Sequence, residues 1–297
     1  MAAKLNFDLF FTPRFRAAVS KTTLYIAIIT FVLHLLIYFT NYYFFTIHPD
    51  RLLANPINAI YTPFSFLLVY EAYLLLYYLP KSTSTYIGKQ YEIITLILIR
   101  GVFKDITHLD LLASDAANKF YAELWYDLAA VLIVFALIFV FYKISRQYTH
   151  IAGKEQQTIS KELNIQYFIS SKKILSIILL LITVILGAYS FVDWMLDTSS
   201  SHDLQSAIDL NGVFFDHFFT LLIISDVIIL LLSLFYTDDY PLIIRNSSFV
   251  ISTILLKLSF SANGVMEQIL IIAGVSFGVA MYFLSNLFVK LKASAND

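Results

Sequence analysis

One long apolar run near the amino end of the chain limits the possible folds more than any other feature. The run from Thr22 to Phe45 carries no Asp, Glu, Lys or Arg, and as a helix it would be roughly 36 Å long at 1.5 Å per residue. About 20 apolar residues are enough to cross the hydrocarbon core of a bilayer. The run is too long for the core of a signal peptide, and no small-residue cleavage site follows it. We therefore predict a first membrane-spanning helix.

Similar apolar runs recur along the whole chain, in which 59% of residues are hydrophobic and only 14% are charged. The further predicted spans are Pro63 to Leu79, Phe120 to Tyr142, Ile174 to Met195, Val213 to Tyr236, Leu242 to Phe260 and Ile269 to Val289. Aromatic residues cluster at the ends of these runs, where their rings favour the headgroup level. The pattern predicts an all-α fold, a polytopic integral membrane helix bundle.

The segment from Tyr86 to Leu109 is ambiguous, because Arg100 lies in its middle. If the segment crosses the bilayer, fifteen Lys and Arg residues lie on the cytoplasmic side and only Arg51 and Lys119 lie outside. If it lies in the membrane plane, every later loop lies on the opposite side of the membrane. Nine basic residues are then inside and ten outside. Cytoplasmic loops normally carry the basic excess. We therefore predict eight spanning helices with both termini cytoplasmic, and seven plus an in-plane helix as the alternative.

The predicted organisation has three parts. Residues 1–21 form a cytoplasmic or interfacial segment, residues 22–289 form the helix bundle, and residues 290–297 form a cytoplasmic tail. The longest polar connection, Lys143 to Lys173, is too short for an independent soluble module and is expected to be a solvated helical hairpin or linker. Any chemistry should therefore take place in or beside the bilayer.

Several ionisable residues lie within the predicted spans, where such residues are rare and commonly functional. They are His34, Glu71, Arg100, Lys104, Asp226 and Lys257. Four of them, His34, Glu71, Arg100 and Asp226, lie at similar depth and could meet near the midplane. Two interpretations stay open for Arg100: it lines a path for ions or protons, or it pairs with Glu71 or Asp226 to fix helix register. Lys257 could pair with Asp216 or Glu267.

Other chemistries find little support. A voltage sensor needs several regularly spaced cations, but Ile93, Leu96 and Ile97 occupy the positions preceding Arg100 and Lys104. The absence of cysteine excludes disulfides and thiolate metal sites. No His-x-x-x-His or Glu-x-x-His pair is present, so we predict no metal and no cofactor. The net charge of −1 does not favour a nucleic-acid partner.

An enzyme that acts on lipid is a third possibility, although the nucleophile elbow, the glycine-rich phosphate loop and the paired-glutamate helix motif are all absent from the sequence. Asp193, Asp216 and His217 are predicted near the external interface, where an acid or base could reach a headgroup. Solvated helix ends explain the same residues.

The last predicted helix contains Gly274 and Gly278, a spacing that lets another helix approach closely. The contact could be internal, or it could join the chain to a second copy or a membrane partner. Gly and Pro are otherwise scarce, with eight and six in 297 residues, whereas transporters often break their helices at such residues.

The leading functional hypothesis is movement of a small ion or proton through the bundle. The alternative is a membrane subunit or scaffold that transports nothing and supports a partner complex. The lipid bilayer itself is the one partner that the apolar runs require.

Overall fold

The computed structural model describes residues 10–44, 56–107, 114–152, 159–200, 205–236, 239–262 and 264–294. The regular structure in these ranges is helical. The eight α-helices are α1 (Pro13–Phe44), α2 (Tyr61–Tyr78), α3 (Thr83–Thr107), α4 (Ser114–Ala152), α5 (Ile159–Ser200), α6 (Gln205–Tyr236), α7 (Tyr240–Phe260) and α8 (Val265–Ser294), with a 3₁₀ helix (Pro56–Ile60) before α2.

Six helices are long and apolar enough to cross a membrane. Their candidate spans are Pro13–Tyr43, Leu124–Arg146, Gln166–Tyr189, His217–Tyr236, Tyr240–Phe260 and Val265–Leu291. Each overlaps a predicted apolar run, so the prediction of a helical membrane bundle is confirmed. The helices α2 and α3 are not among the six, because Glu71 and several tyrosines lower the hydropathy of α2 and charged residues interrupt α3. The count of eight crossings stays a prediction.

The chain divides into two compact units. The first consists of Met1–Tyr77, Phe103–His108 and Ile177–Phe215, and the second of Tyr78–Val102, Leu109–Ser176 and Asp216–Asp297. Of the predicted amino-terminal segment 1–21, residues 1–9 lie outside the described residues, and α1 already begins at Pro13.

The first unit contains aromatic contacts between the start of the described chain and α2, and it contains the largely exposed helix α1. The Tyr73 hydroxyl donates to the Phe10 carbonyl oxygen over 2.8 Å, and the ring of Phe11 stacks on that of Tyr77. The span of α1 has only 6% of its most apolar window buried. Such a surface suits contact with lipid tails, because it offers them apolar side chains and a fully hydrogen-bonded helical backbone.

Four aromatic rings form the core of the second unit. Phe141 of α4 contacts Tyr91 of α3, Phe249 of α7 and Tyr282 of α8, with ring centroids 5.2–6.1 Å apart. Aromatic pairs at these separations add to the stability that burial provides. The cluster holds helices from four parts of the sequence together and positions the polar groups of α3 and α7.

The turn between α7 and α8 explains their close packing. Gly264 has φ +60°, a left-handed conformation that a residue with a Cβ atom adopts only at a steric cost. Its carbonyl oxygen accepts a hydrogen bond from the amide of Glu267 at the start of α8. The chain thereby reverses, and α8 packs along α7.

Candidate functional site: a polar cluster among α3, α6 and α7

Asp226 is the centre of the polar interior of the second unit. Its side chain is 3% exposed and lies midway along the His217–Tyr236 span of α6. The Gln90 amide nitrogen Nε2, on α3, donates to Asp226 Oδ2 over 3.2 Å. No ion pair to Asp226 within 4 Å is found among the residues that the structure describes. A carboxylate buried in this way depends on neutral hydrogen-bond donors for much of its stabilisation.

The orientation of the Gln90 amide is set from α7. Thr253 Oγ1 lies 3.1 Å from Gln90 Oε1 and donates to it. The same hydroxyl is 3.0 Å from the Phe249 carbonyl oxygen, so two acceptors compete for its single proton. Since Oε1 faces Thr253, the Nε2 end of the amide faces Asp226.

Two further buried groups act on this carboxylate. Tyr86, which is 1% exposed, interacts electrostatically with Asp226, although its hydroxyl has no partner in hydrogen-bonding geometry within the described ranges. Lys172 of α5 is also 1% exposed; its ammonium group donates to the Lys81 carbonyl oxygen over 2.5 Å and attracts Asp226 from a longer distance. The carboxylate therefore has a cation in its environment without a contact ion pair.

A second hydrogen-bond chain lies beside the first. Tyr91 and Ser252 share a hydrogen bond of 2.8 Å, and Ser252 Oγ donates to the Gly274 carbonyl oxygen over 2.7 Å. A Cβ atom at Gly278 would overlap the Tyr91 hydroxyl, and one at Gly274 would lie 3.2 Å from the Ser252 carbonyl oxygen. Both predicted packing glycines therefore face other helices of the same unit at close range.

Contacts between α6 and α7 recur along an antiparallel seam. The rings of Phe219 and Phe260 have their centroids 4.7 Å apart, and Asn246 Nδ2 donates to Ser233 Oγ over 2.7 Å. Between these two pairs, Asp226 and Thr253 are joined through the Gln90 side chain of α3. Successive pairs are separated by seven residues on each helix, about 10.5 Å at 1.5 Å per residue.

One more polar contact joins α6 and α7 toward the carboxyl end of α7. Lys257 Nζ donates to Thr220 Oγ1 over 2.6 Å. From Thr220 to Ser233 the polar contacts cover roughly 20 Å of α6, against about 30 Å for a hydrocarbon core.

A second buried aspartate, at another level of the unit, also pairs with a glutamine. Asp127 of α4 is 8% exposed and accepts a hydrogen bond from the Gln268 amide nitrogen of α8. The Gln268 amide oxygen is buried, and no hydrogen-bond partner for it is found in the described part of the chain. Asp127 lies only three residues inside the Leu124–Arg146 span, near one end of it.

Glu92 is a partly exposed carboxylate on the surface of α3. It forms a 2.5 Å ion pair with Lys89 and accepts a 2.5 Å hydrogen bond from the Tyr142 hydroxyl. Both members of the ion pair are partly exposed.

The predicted site residues occupy several separate environments. His34 Nδ1 lies 2.7 Å from Thr62 Oγ1, and Glu71 is buried; both belong to the first unit. Arg100, in α3, is half-buried, and Asp226 accepts a hydrogen bond from Gln90. The predicted meeting of all four groups at the midplane stays a prediction.

The remaining predicted residues are less well defined. His217 is exposed at the start of the α6 span. Lys104, Asp193 and Asp216 belong to helices, but their side chains lie outside the described residues.

Sequence reasoning missed most of the cluster because it considered only ionisable residues within apolar runs. Gln90, Ser252 and Thr253 are neutral, and Lys172 was assigned to a cytoplasmic loop. A detectable signal was present in α7, where buried polar residues recur at helical spacing: Arg245, Asn246, Ser248, Ser252, Thr253 and Ser259. A polar stripe on a spanning helix indicates a face turned toward other helices.

Within the described residues, no group of three or more His, Cys, Asp or Glu side chains could hold a metal ion. Comparison with protein-family models, curated proteins and solved structures produced no match. The fold and the polar interior define the class of the chain as a multi-pass helical membrane protein.

Proposed function

We propose that the protein moves a small ion or proton across a membrane, and that Asp226 is the group that binds it during passage. The observation that carries this proposal is the setting of Asp226: a carboxylate midway along a spanning helix, 3% exposed, with neutral hydrogen-bond partners and no contact cation among the described residues.

Energetics support a functional role for such a group. An ionised carboxylate buried without a contact partner is costly, and a hydrophobic residue at the same place would avoid that cost. Ionisable groups within spanning segments therefore commonly mark ion or proton pathways. The polar contacts that continue along α6 and α7 on both sides of Asp226 supply groups that a passing ion or proton could use.

A structural role is the competing explanation, because the same hydrogen bonds would also fix the register of α3 against α7. In that case the protein would be a membrane subunit or scaffold. The exposed surface of α1 suits a lipid contact and would equally suit a partner helix.

Proton flux into liposomes separates the two explanations. The purified chain is reconstituted with a pH-sensitive dye inside the vesicles, and a potassium diffusion potential drives the flux. Asp226→Asn keeps the shape of the side chain and an oxygen that can accept from Gln90, so the fold should persist. We expect flux in the wild type and only background leakage in the variant.

Asp127→Asn is the matched control, since Asp127 is also a buried aspartate bonded to a glutamine. Transport through Asp226 predicts that this variant retains flux. No flux in the wild type of a folded preparation would contradict transport, and loss of flux in both variants would contradict the assignment of the binding group to Asp226 in particular. Arg100→Ala tests in the same assay whether the path also involves Arg100.

We also propose that α3 crosses the membrane, giving eight crossings with both termini cytoplasmic. The chain has no cysteine, so a single cysteine introduced at Ser114, the first residue of α4, reports the location of the segment after α3. Labelling of intact cells by an impermeant thiol reagent is expected. Labelling only after permeabilisation would place α3 along the cytoplasmic face.

A further inference from the structure

Four groups act on Asp226, and the one that directly hydrogen-bonds to it in the described part of the chain, the Gln90 amide, does so through its NH₂ donor. The four groups are the Gln90 amide and the Tyr86 hydroxyl of α3, the Thr253 hydroxyl of α7 and the Lys172 ammonium group of α5. Arg245 of α7 is the other nearby cation, and it acts electrostatically on Lys172.

This environment is poorly suited to a metal cation. Metal cations such as Na⁺, Mg²⁺ and Ca²⁺ need several oxygen lone pairs around them, whereas the NH₂ group of Gln90 and the ammonium group of Lys172 have none to offer. Gln90 cannot turn its oxygen toward Asp226 without losing the hydrogen bond from Thr253. Lys172 would in addition repel a cation, and the repulsion is strong in a buried site.

A proton makes no such demand, because it binds directly to a carboxylate oxygen. Once protonated, Asp226 has an O–H group that needs an acceptor, while its other oxygen can still accept from Gln90. The Tyr86 hydroxyl is buried beside it without a hydrogen-bonded partner in the described part of the chain. Its oxygen has lone pairs that can accept this new hydrogen bond.

We infer that the species bound at Asp226 is a proton and not a metal cation, and that Gln90 is the positioning residue that sets this selectivity. The inference rests on the proposed function for its physiological meaning, but proton binding can be measured without transport.

Two measurements on the purified wild-type protein test the inference. Infrared difference spectra on acidification should show a protonated-carboxyl band that Asp226→Asn lacks and Asp127→Asn keeps. The melting temperature should be the same in sodium, potassium, lithium and N-methylglucamine chloride at equal ionic strength.

A third measurement uses Gln90→Glu, which replaces the amide donor by a second carboxylate close to Asp226. This variant should acquire stabilisation by alkali cations, with a rise in Tm of about 3 °C or more. A folded Gln90→Glu variant without such stabilisation would contradict the role of Gln90, and the two wild-type measurements test proton binding even where this variant does not fold.

The possible outcomes separate the inference from the proposed function. Stabilisation of the wild type by an alkali cation, lost in Asp226→Asn, would overturn proton selectivity and leave ion transport in place. An Asp226-dependent infrared band without any flux in vesicles would support proton binding and contradict transport. Absence of the band would overturn the inference directly.

Discussion

Two aspartates in the second unit are bonded to glutamine amides, and the two pairs differ in their surroundings. Asp226 lies in the middle of its span, and the amide oxygen of its partner Gln90 accepts from Thr253. Asp127 lies near the end of its span, and the amide oxygen of Gln268 has no hydrogen-bond partner among the described residues. The same two residue types therefore form two pairs: in one the glutamine amide is oriented by a third residue, and in the other no such residue is found in the described part of the chain.

Depth accounts for much of this difference. Near a span end an unpaired amide oxygen has only a short distance to water and headgroups, whereas at the midplane each polar group needs a partner within the protein. Under the proposed function, the ordered arrangement at Asp226 is the one that would bind a proton or ion without help from water.

Asp226→Asn should reduce proton flux in liposomes by roughly tenfold or more, because the titrating group within the span is lost. Asp127→Asn should stay close to the wild type, since its carboxylate lies near a span end. The dye assay described above measures both. Equal loss of flux in the two variants would remove the functional contrast between the pairs.

Gly278→Ala should lower the free energy of unfolding by about 1–3 kcal/mol, the usual effect of overpacking a tight interior. The added Cβ would overlap the Tyr91 hydroxyl and push α3, which carries Gln90, away from α8. Gly101→Ala is the matched control, because nothing lies within 4 Å of a Cβ at that position. Chemical denaturation in detergent gives both values; comparable destabilisation in the two variants would contradict the close contact.

Thr253→Val should make the Gln90 amide resemble that of Gln268 by removing the donor to its oxygen. An orphaned buried acceptor costs about 1–3 kcal/mol, and proton flux should fall as the amide becomes free to turn. Thr95→Val is the control, since the Thr95 hydroxyl donates only to the backbone of its own helix, at Tyr91. If both valine variants behave alike in denaturation and flux, the orientation of Gln90 has no special role.

Glu92→Gln should have the smallest effect, less than about 1 kcal/mol, because its ion pair with Lys89 is partly exposed and such pairs contribute little. Proton flux should not change. Glu92 is only two residues from Gln90. A large loss of flux in Glu92→Gln would therefore show that the functional region extends to the partly exposed surface of α3.

The sequence predicted the helices better than the site. Long apolar runs indicated each of the six candidate spans, because the bilayer demands a continuous apolar helix whatever its neighbours are. The polar cluster was predicted only through Asp226, since a charged residue in an apolar run is conspicuous by itself. Its partners Gln90 and Thr253 are 163 residues apart, and neither stands out in the sequence.

A comparison of α1 with α7 shows why the sequence predicts spans better than it predicts the contacts between them. The first has 6% of its most apolar window buried and the second 50%, although both were predicted simply as spans. The polar stripe of α7 indicates an inward face, but it does not identify the helix that packs against that face. Lys172 shows the same limit: it was predicted as a loop residue near a helix end, and the structure buries it with its ammonium group on the Lys81 carbonyl oxygen.

By itself, the sequence determined that this chain is a helical membrane protein with an ionisable residue in the middle of a span, because hydropathy and length depend only on residues that are neighbours along the chain. The tertiary structure decided which groups surround Asp226, how the Gln90 amide is oriented, and that Gly274 and Gly278 face other helices of the same unit. These properties depend on contacts between distant parts of the chain, and hydrogen-bond direction and close packing exist only once the helices are assembled.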